Sequence, residues 1–424
     1  MTFTPLTSSR PLAQFLTVQC LIASVCSAAW WMSSSSTAPS PSSAASSDFK
    51  SEISNLNSSS EDRSRREPTL ANEPSSVTPR YDVPEVVSDE QLANVLFKLR
   101  PRFRHGQPKI NHVDHALRCW GAEVFFADPQ FVSGDEMRRL LTDHDAFKEA
   151  WGDKTRALLI AKEQGVAYRN QQGDASASHV DHTLGTLAEC GTPLDFPIRL
   201  AGRSATLRDV LHQALASFDI NQAEYEWTTL AVALYATDGR PWYTPEGDRI
   251  DFVRLAQRIM RQKYGQGVCF GNHRLYSLTV LLRLDDEKHL LTVTTRQNIL
   301  AHLTEATRRL TENQHADGYW DRNWHDLKVT ANDEDMALGG PLARRILSTG
   351  HALEWWAMAP TELHPPRETL VRASQWLVHE IERMSEKSIA DNYTFLSHAG
   401  RALALWRGRF PASVGRPSEE KSAP

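Results

Sequence analysis

The stretch that decides the fold is Asn111-His-Val-Asp-His-Ala-Leu117, which returns as Ser178-His-Val-Asp-His-Thr-Leu184. Looser copies of the phrase, each ending on a leucine, lie at Trp227–Leu230, His273–Leu275, His351–Leu353 and Arg401–Leu403. Three residues after each leucine stands a further core-type residue, namely Trp120, Leu187, Ala233, Leu278, Trp356 and Trp406. A polar head followed by apolar residues three apart predicts the start of a helix with a buried face.

Longer amphipathic segments lie between these phrases. Apolar residues recur at helical spacing over residues 88–103, 134–151, 154–164, 207–218, 251–264, 293–313 and 368–384. The segments that follow the repeated heads are instead apolar over most of their circumference, which predicts burial on several sides. Runs of β-branched residues are scarce. The sequence therefore predicts an all-α domain of about six helical hairpins over residues 85–412.

The most specific motif of the chain is Leu310-Thr-Glu-Asn-Gln314-His-Ala-Asp317-Gly318-Tyr-Trp320. It fits L-x3-Q-x2-D-G-x-W and resembles the QW motif of the squalene–hopene cyclase and oxidosqualene cyclase superfamily. The resemblance implies an α/α toroid, in which a ring of inner helices is surrounded by outer helices and a pocket opens at one mouth. It also implies that Gln314 and Trp320 tie the end of one outer helix to the next hairpin.

The resemblance does not carry the chemistry of those cyclases. They protonate an isoprenoid with a DxDD acid, whereas Asp333-Glu-Asp-Met336 lacks the fourth aspartate. The chain is also long enough for one toroid where those cyclases have two. Similar toroids serve polysaccharide lyases, glycoside hydrolases, sugar epimerases and proteins that are not enzymes, so the fold alone does not decide the function.

The first 84 residues differ from the rest. Residues 12–31 form an apolar stretch about 20 residues long, which is enough to span a bilayer as a helix. The alternative is a cleaved signal peptide within residues 1–32. Residues 33–84 are rich in Ser and Pro and are expected to form a disordered linker, and residues 413–424 a disordered tail. Either N-terminal interpretation places the domain outside the cytoplasm, as a secreted protein or one anchored in the membrane through residues 12–31.

Charge and cysteine usage exclude several classes of protein. The 424 residues carry a formal net charge of −5 without a basic stripe, so no nucleic-acid partner is expected. Cys119, Cys190 and Cys269 lie in the helical domain without CxxC spacing, which is typical neither of a disulfide framework nor of a zinc module. Buried free thiols are the favoured interpretation, and a Cys119–Cys190 disulfide between neighbouring inner helices is the alternative.

The repeated polar heads are the candidate catalytic site. In the toroids that this chain resembles, the N-termini of the inner helices surround the pocket mouth. The expected catalytic residues are His115, His182, His273, His351 and Glu354. Neutral histidines are competent general bases, and helix N-termini favour anionic ligands. The alternatives are that these side chains only cap helix ends, or that histidines three residues apart hold a metal ion.

A second set of residues has the composition of a sugar-binding site. Asp114 and Asp181 belong to the doubled phrase, and Trp320, Asp321 and Trp324 lie in the long interruption after the QW-like motif. Aromatic faces stack on sugar rings, and carboxylates accept from hydroxyl groups. The alternative is that Trp320 only packs the turn. The acidic loop that follows is solvated, or else supplies a paired acid and base.

These patterns support three functions. The first is an exported or membrane-anchored enzyme that acts on a carbohydrate by lyase, hydrolase or epimerase chemistry, with a polar or anionic small molecule or a glycan in the pocket and no cofactor. The second is a non-catalytic scaffold that binds a glycan, a lipid or a protein. The third is an isoprenoid cyclase-like enzyme, which the missing acid motif disfavours.

Overall fold

The protein is predominantly helical over the residues that its computed structural model describes, which are 67–103, 108–222, 224–326 and 340–414. The expected membrane segment, the linker up to residue 66, the acidic loop at 333–336 and residues 415–424 lie outside the described residues. Among the described residues no helix is long and apolar enough to cross a membrane.

The helices begin and end as follows in chain order. They are α1 (Asp89–Lys98), α2 (Ile110–Trp120), α3 (Gly134–Thr142), α4 (His144–Trp151), α5 (His182–Glu189), α6 (Leu207–Ala216), α7 (Glu226–Tyr235), α8 (Phe252–Met260), α9 (Asn272–Lys288), α10 (Val293–Glu312), α11 (Gly340–Met358), α12 (Arg367–Arg383), α13 (Glu386–Asp391), α14 (Tyr393–Leu405) and α15 (Pro411–Val414). Single 3-10 turns occur at Val268–Gly271 and Thr361–Leu363. The expected all-α class is confirmed.

Six of these helices carry the repeated phrases and form the centre of the domain. Helix α2 contacts α5, α5 contacts α7, α7 contacts α9, α9 contacts α11, α11 contacts α14, and α14 contacts α2. Every residue of α7 is buried, as expected for a helix surrounded on all sides. Helix α8 instead buries only one stripe, which comprises Phe252, Leu255, Ala256 and Ile259. The burial patterns thus separate inner helices from outer helices.

Short strands replace helix where the sequence predicted one at Lys154–Gln164. Strand β1 (Leu159–Ala161) pairs antiparallel with β2 (Val166–Tyr168). Gly165 closes this hairpin against α6, and an added Cβ there would lie 2.0 Å from the Asp209 carbonyl oxygen. Tertiary packing against α6 therefore overrides the helical periodicity. Two similar hairpins join β3 (Pro197–Leu200) to β4 (Arg203–Thr206), and β5 (Trp242–Tyr243) to β6 (Arg249–Ile250).

The folded part begins earlier than the expected boundary at residue 85. Leu70 forms a β-bridge with Ala236, and the Tyr81 hydroxyl donates to the Ala359 carbonyl oxygen at 2.6 Å. The backbone amide of Val83 donates to Trp406 at 2.9 Å. A few apolar residues in a polar segment thus dock on the C-terminal ends of inner helices. The average composition of the segment does not indicate these docking points.

The QW-like turn links α10 to α12. The side-chain amide of Gln314 donates to the carbonyl oxygens of Gly318 at 2.8 Å and Thr369 at 2.9 Å. The Trp320 indole donates to the Leu310 carbonyl oxygen at 2.7 Å and is fully buried. Gly318 has a φ of 106° and lies close to α12, which requires a residue without a side chain. These contacts connect the end of one outer helix to the start of the next.

Candidate functional site: the central histidine cluster

The five expected catalytic side chains meet at the centre of the domain. The rings of His115 and His182 stack with centroids 4.4 Å apart, and those of His273 and His351 lie 4.9 Å apart. His398 joins them, 3.8 Å from His351 and 5.2 Å from His115. We call the connected set the histidine layer, and its members are His115, His179, His182, His273, His351 and His398. The repeated phrase therefore places an imidazole at the same level on five of the six inner helices, and α7 presents Trp227 there, with ring centroids 4.3 Å from His182 and 4.9 Å from His273.

Hydrogen bonds fix the tautomers of four members of this layer. Nδ1 of His182 lies 2.8 Å from Oδ2 of Asp114, and Nδ1 of His115 lies 2.8 Å from the Asn111 carbonyl oxygen. Nδ1 of both His351 and His398 lies 3.2 Å from Oε2 of Glu354. Because these oxygens can only accept, each Nδ1 carries the proton and each Nε2 keeps a free lone pair.

Five Nε2 atoms of the layer are buried and unpartnered within the described part of the chain, and four of them are acceptors by the tautomers above. Those of His115, His182, His273, His351 and His398 have no hydrogen-bond partner among the described residues. Burial lowers the pKa of His115, His273 and His398 well below the ordinary value. Burial also lowers the pKa values of His182 and His351, although a neighbouring carboxylate opposes it in each case. The centre therefore holds neutral imidazoles, whose free nitrogens suit a hydroxyl donor or a metal ion better than an anion.

A second layer, of charged residues, lies beside the histidines. Arg118 donates to Glu189 at 2.6 Å and to Glu354 at 2.7 Å. Arg401 donates to Glu354 at 2.5 Å and to Glu189 at 3.1 Å. The Tyr276 hydroxyl donates to Glu189 and accepts from Arg401. We call these five residues the ionic layer.

The ionic layer is balanced in charge. Each of its two arginines contacts both carboxylates, and the side chains of Arg118 and Glu354 are 3% and 1% exposed. Burial raises the pKa of Glu354, but Arg118 and Arg401 outweigh it and hold that pKa well below its usual range. Glu354 is thus a carboxylate that accepts from two arginines through Oε1 and from two histidines through Oε2.

Sequence reasoning missed most of the ionic layer, although the spacing holds a signal for it. Arg118, Tyr276, Glu354 and Arg401 stand three residues after His115, His273, His351 and His398 respectively. A residue at i+3 lies on the same helix face about one turn further along. The histidine of each phrase therefore marks one level, and the residue at i+3 marks the next. His398 is the polar head of the last copy of the phrase, and its ring contacts and its bond to Glu354 place it in the cluster.

The two aspartates of the doubled phrase have different surroundings. Oδ2 of Asp114 accepts from His182 and from the Thr183 hydroxyl at 2.7 Å, within the cluster. Asp181 adopts a left-handed backbone with φ 54°, so α5 begins at His182 and not at His179 as expected. Its Oδ2 accepts from the Thr228 hydroxyl at 2.5 Å, and burial raises its pKa. Asp114 therefore orients a histidine, while Asp181 bridges α5 to α7.

The three expected binding residues of the long turn have the following contacts, with residues that do not belong to the histidine layer. Trp320 packs in the core, with ring centroids 5.6 Å from Trp356. Asp321 accepts from the Asn323 backbone amide at 2.7 Å. The Trp324 indole is buried and donates to the Phe270 carbonyl oxygen at 2.9 Å. These contacts hold the turn and the segment before α9 together.

The three described cysteines, Cys119, Cys190 and Cys269, are free thiols, and Cys119 is buried while the other two are half-buried. The favoured interpretation as free thiols is confirmed for these residues. Cys190 donates through Sγ to the Leu117 carbonyl oxygen at 3.3 Å. Cys269 lies directly before α9 and next to the histidine layer, and burial raises the pKa of its thiol. Two groups of described residues have metal-ligand composition, each with ligand atoms within 4.8 Å of one another. They are Cys269 with His273 and His351, and Glu354 with His351 and His398.

No protein-family model, no curated protein and no solved structure matches the chain.

Proposed function

We propose that the helical domain is an α/α toroid. The contacts between inner helices run from α2 through α5, α7, α9, α11 and α14 and return to α2, and the amphipathic helices lie outside this series. A linear solenoid would leave its first and last inner helices apart. The links from Gln314 and Trp320 between consecutive outer helices agree with the role that the QW motif has in proteins of that shape.

We further propose that the domain is an enzyme that uses carboxylate–histidine pairs as general bases. The observation that carries this proposal is the pairing of Asp114 with His182 and of Glu354 with His351 and His398. In each pair the carboxylate accepts from Nδ1 and leaves Nε2 as a base. A neutral imidazole held in this way can take a proton from an O–H or C–H group of a substrate.

A carbohydrate is the substrate class that fits these bases best. Its hydroxyl groups would donate to Nε2 atoms that have no donor among the described residues. Several such acceptors in one cluster match a ligand with several hydroxyl groups. Removal of a proton from carbon would give epimerase or lyase chemistry, and activation of water would give hydrolase chemistry.

Burial of the same side chains favours the second candidate, a non-catalytic scaffold. The five histidines with free Nε2 atoms are between 0% and 5% exposed, and their rings pack against one another. Substrate entry would then require the segments around the cluster to move. In a scaffold the histidines would only fill the centre, and the outer surface would bind the partner.

We propose export for the chain, because residues 12–31 have the length and composition of a membrane anchor or signal peptide. A carbohydrate as substrate agrees with that location. Fractionation of cells that express the full chain tests it, and recovery of all the full-length protein in the cytosol would contradict export.

Proton exchange in D2O tests the enzyme proposal. The purified full-length protein is incubated with a panel of neutral sugars, uronic acids and their oligosaccharides, and proton NMR follows the loss of C–H signals and any new products. We expect exchange or turnover for at least one sugar class, because a general base returns deuterium from solvent to the carbon from which it took a proton.

Two variants and a control make the result specific. His182→Ala and Asp114→Asn should lower the rate by about 10²–10⁴-fold, the contribution of a positioned base. The control is His364→Ala, since His364 contacts the Trp356 carbonyl oxygen away from the cluster. Absence of exchange and of turnover with the whole panel would favour the scaffold. A rate that is unchanged in His182→Ala would exclude the proposed base.

A further inference from the structure

We propose that Cys269, His273 and His351 bind one transition-metal ion of the Zn²⁺ type, a site that goes beyond the proposed carbohydrate chemistry. The Cys269 sulfur and one ring nitrogen of each histidine lie within 4.8 Å of one another. Ligand atoms around tetrahedral zinc lie about 3.3–3.8 Å apart, given bonds of 2.0–2.3 Å. The three ligands would therefore approach one another by at most about 1.5 Å on binding.

The backbone before α9 is strained where it positions Cys269. Cys269 and Phe270 have φ values of 48° and 58°, which are left-handed, and Gly271 continues the turn with φ 77°. Two consecutive non-glycine residues in this region cost about 1–3 kcal/mol each. The turn is held by the Asn272 side chain, which donates to the Cys269 carbonyl oxygen at 2.9 Å, and by the Trp324 indole. This turn brings a thiol to the histidine layer.

Unpartnered nitrogens are the independent sign of a ligand. Nε2 of His273 and Nε2 of His351 have no hydrogen-bond partner among the described residues, and the two residues are only 5% and 2% exposed. A buried polar atom without a partner costs about 1–3 kcal/mol. A metal ion would accept the lone pairs of both nitrogens and remove this cost. His351 would then serve as a ligand, and the pairs Asp114–His182 and Glu354–His398 would remain as the proposed bases.

The other metal-like group is less suited to bind an ion directly. Oε2 of Glu354 already accepts from two histidines, and Oε1 accepts from Arg118 and Arg401. Glu354 therefore has no free lone pair directed at an ion. Its bond to Nδ1 of His351 is instead the outer partner that orients a metal-binding imidazole and leaves Nε2 for the ion.

The ligand set selects the class of metal. One thiolate and two neutral imidazoles suit Zn²⁺ and resemble three-ligand sites that keep a fourth position open. On binding, the Cys269 thiol releases its proton to solvent and its sulfur takes the bond to the ion. The ring of His398 lies 3.8 Å from that of His351, and its Nε2, unpartnered among the described residues, is a candidate fourth ligand atom.

Cobalt substitution tests the site directly. The purified full-length protein is freed of metal with a chelator and titrated with Co²⁺, which reports thiolate ligation by a charge-transfer band in the near ultraviolet and tetrahedral geometry by strong visible bands. We expect both signals to saturate at one ion per chain. Cys269→Ser should abolish the charge-transfer band, whereas the matched control Cys190→Ser should keep it, because Cys190 lies outside the ligand set.

The proposal is overturned if the wild-type protein shows no thiolate band, or if Cys269→Ser keeps the band. If the Cys269→Ser variant does not fold, an alkylation measurement on the wild-type protein alone still tests the site. Zn²⁺ should slow alkylation of Cys269, followed by peptide mass spectrometry, and leave alkylation of Cys190 unchanged. Equal alkylation of Cys269 with and without Zn²⁺ contradicts the site. None of these readouts depends on a sugar substrate, so the metal site and the proposed enzyme function fail separately.

Discussion

The histidine layer and the ionic layer lie side by side in the same core, but they differ in how their polar atoms are satisfied. In the ionic layer both arginines contact both carboxylates. In the histidine layer five Nε2 atoms have no partner among the described residues. In the ionic layer every charge is paired and only Nε of Arg401 has no partner among the described residues, whereas in the histidine layer each of five rings has an unpartnered nitrogen.

This difference indicates that the ionic layer serves stability and the histidine layer serves binding, although the same repeated phrase supplies both. A closed group of two cations and two anions joins α2, α5, α11 and α14, and its cost of desolvation is offset only while all four charges are present. An incomplete group of neutral bases is expensive for stability and useful for binding. Glu354 belongs to both layers, so it couples the two.

The largest expected effect is that of Glu354→Ala on stability. Removing this carboxylate leaves Arg118 and Arg401 with one buried carboxylate between them, which should cost toward the upper end of about 3–5 kcal/mol. Urea unfolding of the full chain measures the change. Glu305→Gln is the control, because Glu305 forms only surface pairs with Arg308 and Arg309, worth at most about 1 kcal/mol. Equal losses in the two variants would remove the distinction between a buried layer and a surface pair.

Trp320→Ala provides an apolar reference for that loss. The indole is fully buried and donates to Leu310, so its removal should cost about 3–5 kcal/mol whatever the function of the protein. Thermal or urea unfolding measures it. Trp376→Ala, at a half-buried indole on α12, should cost less. An unchanged midpoint in Trp320→Ala would mean that the likeness to the QW motif is accidental.

Acid should destabilise the protein through its buried histidines, which include His115 of the histidine layer and His112, a residue of the same helix outside that layer. Burial, together with the nearby Lys109, lowers the pKa of His112 to about 4, and burial lowers that of His115 further below its ordinary value. The unfolded chain binds these protons near pH 6.5, so stability is present above that pH and falls as the pH drops from 6.5 toward 4. Each group contributes up to about 1.4 kcal/mol per pH unit.

Urea midpoints at pH 7, 6 and 5 measure this dependence, in a range where the carboxylates of the ionic layer stay ionised. His112→Phe should flatten the slope, since phenylalanine cannot take up a proton. A slope that is the same in the variant would show that His112 is accessible to protons in the folded state.

The smallest expected effect on stability is that of His115→Phe. The phenyl ring keeps most of the volume, and it removes the unpartnered Nε2 together with the bond from Nδ1 to the Asn111 carbonyl oxygen. The two changes oppose each other, so the loss should stay below about 1.5 kcal/mol. Deuterium exchange on a responsive sugar should slow in the same variant, because one proposed acceptor for its hydroxyl groups is removed. A large loss of stability, comparable with that of Glu354→Ala, would assign the histidine layer the structural role of the ionic layer.

Much of the fold could be predicted from local patterns. The spacing from each head to Leu117, Leu184, Leu275 and Leu353 marks buried helix faces, and these helices are present. The strand at Leu159–Ala161 could not be predicted, because its hairpin depends on the approach of α6 to Gly165. Docking of Tyr81 and Val83 was missed for the same reason, since their partners lie far along the chain.

The candidate site could be predicted in part. The recurrence of histidine at one position of the phrase indicated that His115, His182, His273 and His351 share a level, and the structure brings them together. The expected sugar-binding role of Trp324 was based only on the residue types around it. The indole instead donates to the turn before α9. Cys269 carried no sequence signal beyond a glycine-flanked turn.

The sequence by itself determined the helical class, the inner and outer helices and the level at which the histidines stand, because periodicity and burial act within one turn of helix. Only the tertiary structure decided which charges meet. Arg118, Glu189, Glu354 and Arg401 come from four different helices, and nothing in the neighbourhood of any one of them names its partners. The same holds for the free Nε2 atoms. A nitrogen is left without a donor only by the packing of helices far apart in sequence, so the part of the molecule that suggests a function appears only when the inner helices come together.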